Sequence, residues 1–309
     1  MVDTLLLFAG LAGLFLGGDM LVRGSVRVAQ AMGLSPLVIG LTLVGFGTSA
    51  PELVTSLQAA LTGSPGIAIG NVVGSNIGNI LLILGLAALL RPIAVTRASL
   101  KRDGGVMMAA TLICVGILAT GTMGRGMGVL LLGLLAIYLA GVFWLERQTN
   151  STEAGAERQP FPWPALGLTL AGLLVTILGA RFAVSGAVGI AGTLGISETV
   201  IGLTIIAIGT SAPELVTSII AVRRGEGDIA FGNIIGSNIF NILGILGVTA
   251  IISPLPVPEQ IARLDGWVML ASALALMVFA ATGLRIARRE GAALLAAYGV
   301  YLGVLLSLA

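Results

Sequence analysis

The chain contains no histidine and only one cysteine, Cys114. The first absence excludes a histidine metal site and a histidine proton relay. The second excludes an intramolecular disulfide, and Cys114, set in an apolar run, reads as a small packing residue. Charge is scarce too. Asp, Glu, Lys and Arg together make up 10% of the 309 residues, where a soluble domain carries about a quarter. The net charge of +2 comes without a basic patch, so there is no nucleic-acid footprint. No early Lys or Arg accompanies Asp3, so the N-terminal apolar stretch lacks the basic region of a signal peptide and reads as a retained helix. No segment is long and polar enough to form a separate soluble domain.

What is present is apolar. Hydrophobic residues make up 57% of the chain and mean hydropathy is +1.07. One membrane span needs roughly 20 apolar residues, so the chain has room for about ten spans and short loops. The apolar runs and loop signals place helices near 4–31, 36–61, 66–90, 104–122 and 126–145, then near 163–193, 198–222, 229–252, 266–283 and 290–308. Residues 146–162, with Glu146, Arg147, Glu153, Glu157 and Arg158, form the one clearly polar linker.

An internal repeat organises these runs. The ten residues from Gly47 to Ser56, GTSAPELVTS, return unchanged at Gly209 to Ser218, a shift of 162. The same shift carries Gly70 to Asn79 (GNVVGSNIGN) onto Gly232 to Asn241 (GNIIGSNIFN), and Asp103 onto Asp265. Residues 1–145 and 163–309 are therefore two copies of a five-helix unit, with motif regions at about 40–84 and 202–246. Five is odd, so the second copy enters the membrane from the opposite side. Charge agrees: the loop after the third span holds Arg91, Arg97, Lys101 and Arg102, whereas its counterpart after the eighth holds Arg263 with Glu259 and Asp265. The expectation is an all-α membrane protein of ten transmembrane helices in two inverted repeats. Both termini lie outside the cytoplasm and the polar linker inside.

Charges inside a span are costly, about 2.5–3.5 kcal/mol for an Asp at a helix centre on insertion scales. Glu52 and Glu214 nonetheless lie well inside the second and seventh spans, among Thr48, Ser49, Thr55 and Ser56 and their counterparts Thr210, Ser211, Thr217 and Ser218. Pro51 and Pro213 precede them. Proline removes a backbone donor and clashes with the preceding turn, so helices 2 and 7 are expected to be broken. Their freed carbonyls need a protein or water-lined setting, and in inverted-repeat transporters such breaks bind ions. Ser49-x-x-Glu52 and Ser211-x-x-Glu214 also fit a helix-capping box. Capping and ion binding can coexist at one motif. Gly70, Gly74, Gly78, Gly232 and Gly236 read as helix-packing positions. Ser75 with Asn79, and Ser237 with Asn241, share one helical face each and would turn it toward the glutamates. Such an oxygen-rich cage suits a hard cation such as calcium. Two ionised glutamates balance one Ca²⁺ or two Na⁺, and this arithmetic leaves the ions unidentified.

These paired motifs resemble the two alpha-repeats of sodium/calcium exchangers in the cation/calcium antiporter superfamily, and the resemblance covers the whole ten-helix plan. It implies secondary antiport by alternating access in a prokaryotic plasma membrane. Its partners are Ca²⁺, Na⁺ and the lipid bilayer, and it calls for no enzyme activity, cofactor or protein partner; with no large cytoplasmic loop, no calcium-sensing domain is expected. It implies Glu52 and Glu214 as central calcium ligands, carbonyl ligation by Thr48 and Thr210, and flanking sodium sites at Ser49, Ser75, Ser211 and Ser237. The resemblance adds the Ala207 carbonyl as a further candidate, and Asn79 and Asn241 would complete the cage. Some prokaryotic and potassium-dependent relatives carry Asp where this chain has Asn241, which argues against potassium dependence. The proton-coupled branch resembles Gly-Asn-x-x-Glu-His, absent here. The alternative is cation/proton exchange on the same two glutamates.

Overall fold

A computed structural model describes residues 2–151, 162–194 and 207–308. The helices in chain order are α1 (Val2–Met32), α2 (Pro36–Thr48), α3 (Ala50–Leu61), α4 (Pro65–Leu90), α5 (97–118), α6 (Arg125–Ser151), α7 (Trp163–Thr193), α8 (Ala207–Thr210), α9 (Ala212–Arg224), α10 (Gly227–Ile252), α11 (Ile261–Gly283) and α12 (Arg288–Leu308). Seven of these are long and apolar enough to cross a bilayer, and the bent pair α2–α3 makes up to eight. The start of the expected seventh span lies outside the described residues.

Four two-residue strands tie the loops together. Ile93–Ala94 (β1) pairs with Arg285–Ile286 (β4), and Thr122–Met123 (β2) pairs with Leu255–Pro256 (β3), both antiparallel. β1 and β2 lie at opposite ends of α5, and β3 and β4 at opposite ends of α11. The 162-residue shift carries β1 onto β3, so equivalent strands belong to different ladders.

The centre of the molecule is built on α4 and α10, the two helices that carry the Gly-Asn motifs. Of their most apolar windows, 72% and 83% of residues are buried, against 11% in α12. Outside them α1 and α7 pack along a glycine seam. A Cβ on Gly17 would lie 2.5 Å from the Thr176 backbone nitrogen, and one on Gly179 would lie 2.5 Å from that of Leu14. No side chain fits between the two backbones at these points.

Several boundaries differ from expectation. α5 starts at Arg97, not near 104, because the Thr96 hydroxyl caps it by accepting from the Ser99 amide. A π turn at Leu100–Gly104 then carries the charged residues into the span. α11 likewise begins with a π turn at Ile261–Asp265, ahead of the expected 266. α6 continues to Ser151, into the segment read as linker. Asp103 and Asp265 are thus helical and buried, not loop charges. Asp103 is fully buried because Arg102 pairs with both its oxygens and the Tyr138 hydroxyl donates to one of them at 3.1 Å.

Candidate cation site

The axis of α2–α3 bends by 42° at Ser49, whose backbone leaves the helical region at φ −81°, ψ 6°. Ser211 takes nearly the same conformation between α8 and α9, at φ −90°, ψ 11°. Pro51 and Pro213 sit in the first turn of the helices that follow, where a missing N–H costs least. Each glutamate therefore lies one turn into a new helix, and both are buried.

The capping expectation is settled by where the serine hydroxyls go. Neither caps its own helix. Ser49 Oγ donates to Glu214 Oε1 at 2.9 Å, and Ser211 Oγ donates to Glu52 Oε1 at 2.9 Å. Each carboxylate is thus held by the other half of the chain. Asn71 donates to the Glu52 carbonyl at 3.2 Å and to Ser56 Oγ at 2.9 Å. Its counterpart Asn233 donates to the Glu214 carbonyl at 3.3 Å and to Ser218 Oγ at 2.9 Å. These two asparagines fasten α3 to α4 and α9 to α10, so their part is structural.

Asn79 opens a π turn over Asn79–Leu84, and Asn241 lies in another over Phe240–Leu246. Such turns inside α-helices recur at functional sites because the wider turn re-aims side chains. Asn79 donates to Asn238 Oδ1 at 3.1 Å, and Asn241 donates to Asn76 Oδ1 at 3.4 Å. Asn76 and Asn238 donate in turn to the sulfurs of Met269 and Met107, at 3.7 and 3.8 Å.

Among the described residues the buried side-chain oxygens without a hydrogen-bond partner are the hydroxyls of Ser25, Ser99 and Thr217 and four atoms that can only accept: Glu52 Oε2, Glu214 Oε2, Asn79 Oδ1 and Asn241 Oδ1. These four acceptors form two repeat-related pairs. Among the described residues no three Asp, Glu, Cys or His side chains converge, so a cation here would be held by two carboxylates and neutral oxygens.

The remaining expected residues are placed as follows. Ser75 lies 3.4 Å from Ser211 Oγ, beside the Glu52 carboxylate's donor. Ser237 donates to the Gly45 carbonyl at 3.0 Å. Thr48 donates to the Gly45 carbonyl at 3.3 Å and to Asn233 Oδ1 at 3.1 Å. Thr210 is half-buried and lines a separate cavity with Thr55 and Arg181. Ala207 opens α8.

The two halves differ in access. A cavity of about 240 Å³ runs along α4 past Asn71, Gly74 and Ser75 to Ser211, and Gln260 and Asp265 also line it. Gly74 is exposed and a Cβ there would meet nothing within 4 Å. Its counterpart Gly236 is buried against α2, where a Cβ would lie 2.7 Å from the Leu41 Cα. Asp265 accepts from the Tyr301 hydroxyl at 2.9 Å and from Gln260 at 3.4 Å. Leu264 stands where Asp103 has its arginine partner, Arg102. The paired aspartates were visible in the repeat alignment, but nothing in the sequence marked them as buried.

The family profile described as sodium/calcium exchanger protein matches residues 2–144 and 164–307. CaxA of Alkalimonas amylolytica is 42% identical over 99% of both chains. The sodium/calcium exchanger MaX1 of Methanosarcina acetivorans is 37% identical over 98% of both. Among solved structures, the sodium-calcium exchanger NCX_Mj soaked with 10 mM Na⁺ and 10 mM Sr²⁺ superposes with a TM-score of 0.87 at 36% identity, covering 98% of this chain and 99% of that one.

Proposed function

Because this chain belongs to the sodium/calcium exchanger protein family, we propose that it exchanges Na⁺ for Ca²⁺ across a membrane at the site between Glu52 and Glu214. The observation that carries this reading is the set of four buried oxygens without donors. A buried acceptor left unpaired costs roughly 1–3 kcal/mol, more when charged. A cation among the four oxygens offsets that cost. Calcium accepts six to eight oxygens in flexible geometry. Glu52, Glu214, Asn79 and Asn241 supply four, and the Thr48, Thr210 and Ala207 carbonyls are candidates for others. Ser49, Ser75, Ser211 and Ser237 flank the glutamates and suit the smaller charge of Na⁺. Two ionised glutamates accommodate one Ca²⁺ or two Na⁺, so loading with one excludes the other.

The architecture we infer is ten transmembrane helices in two inverted five-helix repeats, 1–145 and 163–309, joined by the polar segment 146–162. The strand ladders support inversion, since the start of α5 is tied to the end of α11 and the end of α5 to the start of α11, so these equivalent helices run in opposite directions. The β1–β4 end collects Arg91, Arg97, Arg285, Arg288 and Arg289, and the β2–β3 end carries Arg125 and Arg263. By the positive-inside rule the first faces the cytoplasm, which puts both termini outside. The cavity lined by Gln260 and Asp265, at the β2–β3 end, then opens outward. Alternating access would exchange the environments of α4 and α10, closing this cavity and opening its counterpart beside Gly236. A prokaryotic plasma membrane is the setting we assign.

The test is radiocalcium uptake into proteoliposomes loaded with Na⁺, against K⁺- and choline-loaded vesicles with the pH gradient collapsed. Uptake that requires internal Na⁺ is expected. Uptake that ignores Na⁺ and follows a pH gradient would overturn the reading.

A further inference from the structure

We propose that Asn76 and Asn238 are positioning residues which, braced by the thioethers of Met269 and Met107, fix the face that Asn241 and Asn79 turn toward the cation. This rests on the exchange reading above. An asparagine amide has an acceptor end and a donor end of nearly equal shape, and only the acceptor end serves a cation. Something must hold it the right way round.

The side chains form two directed chains. In one, Asn241 Nδ2 donates to Asn76 Oδ1 at 3.4 Å, and Asn76 Nδ2 donates to Met269 Sδ at 3.7 Å. In the other, Asn79 Nδ2 donates to Asn238 Oδ1 at 3.1 Å, and Asn238 Nδ2 donates to Met107 Sδ at 3.8 Å. A thioether sulfur can accept a hydrogen bond and has none to give. It therefore sets the sense of the whole chain. The nitrogen of Asn76 turns to sulfur, its oxygen takes the nitrogen of Asn241, and the oxygen of Asn241 is left free. That free end, and that of Asn79, are the two amide oxygens found buried without a donor. All six side chains are buried, with Met269, Asn76 and Asn238 each 1% exposed. Each chain also alternates between the halves of the protein, so the amide of one half is oriented by a residue of the other.

A carboxylate presents acceptors on both sides and needs no such control. This gives the test. Asn76→Leu should raise the calcium KM about tenfold in the wild-type background, as loss of a buried partner does. In an Asn241→Asp background the same change should alter KM by less than about twofold, because coupled effects are not additive. Asn238→Leu paired with Asn79→Asp is an independent second arm. Met269→Leu, a milder change, should raise KM about threefold and lose that effect beside Asn241→Asp. Radiocalcium exchange is read together with calcium binding to purified protein by titration calorimetry, so a variant too slow to exchange is still scored. Equal fold-changes in both backgrounds, in both arms, would overturn the proposal while leaving wild-type exchange intact. A wild-type protein that neither binds nor exchanges Ca²⁺ would instead overturn the functional reading.

Discussion

Ser49 and Glu214 are 165 residues apart in the chain, yet the serine hydroxyl donates to the carboxylate at 2.9 Å, and Ser211 does the same for Glu52. The two halves thus complete one another's acidic group, and neither half holds a finished site alone. A hydrogen bond to a buried charged acceptor contributes about 1.5–3 kcal/mol. Ser49→Ala and Ser211→Ala are each expected to weaken apparent calcium affinity about tenfold or more. Threonine at either position keeps the hydroxyl and should restore most of the loss. Initial uptake rates against Ca²⁺ concentration decide it, and a threonine variant as poor as alanine would mean that packing, not the hydroxyl, matters.

Removing a carboxylate is a harsher change. Glu52→Gln or Glu214→Gln leaves one fixed negative charge, too few for a divalent cation among neutral oxygens. Sodium-dependent calcium uptake should fall to background in both, with the protein still folded, since glutamine keeps the shape and can accept from the same serine. Uptake at the wild-type rate in either variant would remove that glutamate from the site.

Gly74 and Gly236 are equivalent by the repeat but differ in surroundings, one facing the open cavity and the other pressed on Leu41. If the halves exchange environments during transport, Gly74 must be pressed in the opposite state. Gly74→Ala should therefore fold and bind Ca²⁺ normally while turning over at least about fivefold more slowly, because overpacking costs about 1–3 kcal/mol in the closed arrangement. Gly236→Ala should favour opening on its own side. Thiol labelling of single cysteines placed along α4 and α10, in a protein whose one native cysteine is buried, reports the shift. Equal labelling in both variants would contradict it.

The repeat-related aspartates make a charge asymmetry. Arg102 neutralises Asp103, whereas Leu264 leaves Asp265 with only Tyr301 and Gln260. The cavity that Asp265 lines therefore carries a negative charge without a cationic partner, which favours cation entry there. Leu264→Arg should raise the calcium KM measured from that side about threefold at low ionic strength, and salt should narrow the difference by screening. A change that persists unaltered at high salt would point to distortion of the helix.

Much of the site was legible in the sequence because duplication and cost coincide there. Two carboxylates inside apolar spans, each behind a proline and at a fixed offset from a Gly-Asn motif, have few explanations. The composition also gave the helical membrane class. What the sequence withheld was pairing between the halves. Motif spacing cannot reveal that Ser49 turns to Glu214 and not to its own helix, since the capping pattern is the same either way. Nor could it reveal the π turns at Asn79 and Asn241, which depend on packing and not on any breaker residue. Lys101, Arg102 and Asp103 read as loop because they are charged. In the fold Lys101 stays exposed, while Arg102 and Asp103 are absorbed by one ion pair and a tyrosine, and that compensation is visible only once Tyr138 lies beside them.

Asn241 has one more consequence. With an amide there, the fixed charge of the proposed site is that of two glutamates. A site holding one Ca²⁺ is then electrically neutral, and so is a site holding two Na⁺. The membrane potential, worth about 2.3 kcal/mol per elementary charge at 100 mV, exerts no force on either loaded form. Voltage can bias this protein only through an ion beyond that balance. The current that accompanies exchange, or its absence, therefore counts the surplus sodium ions directly.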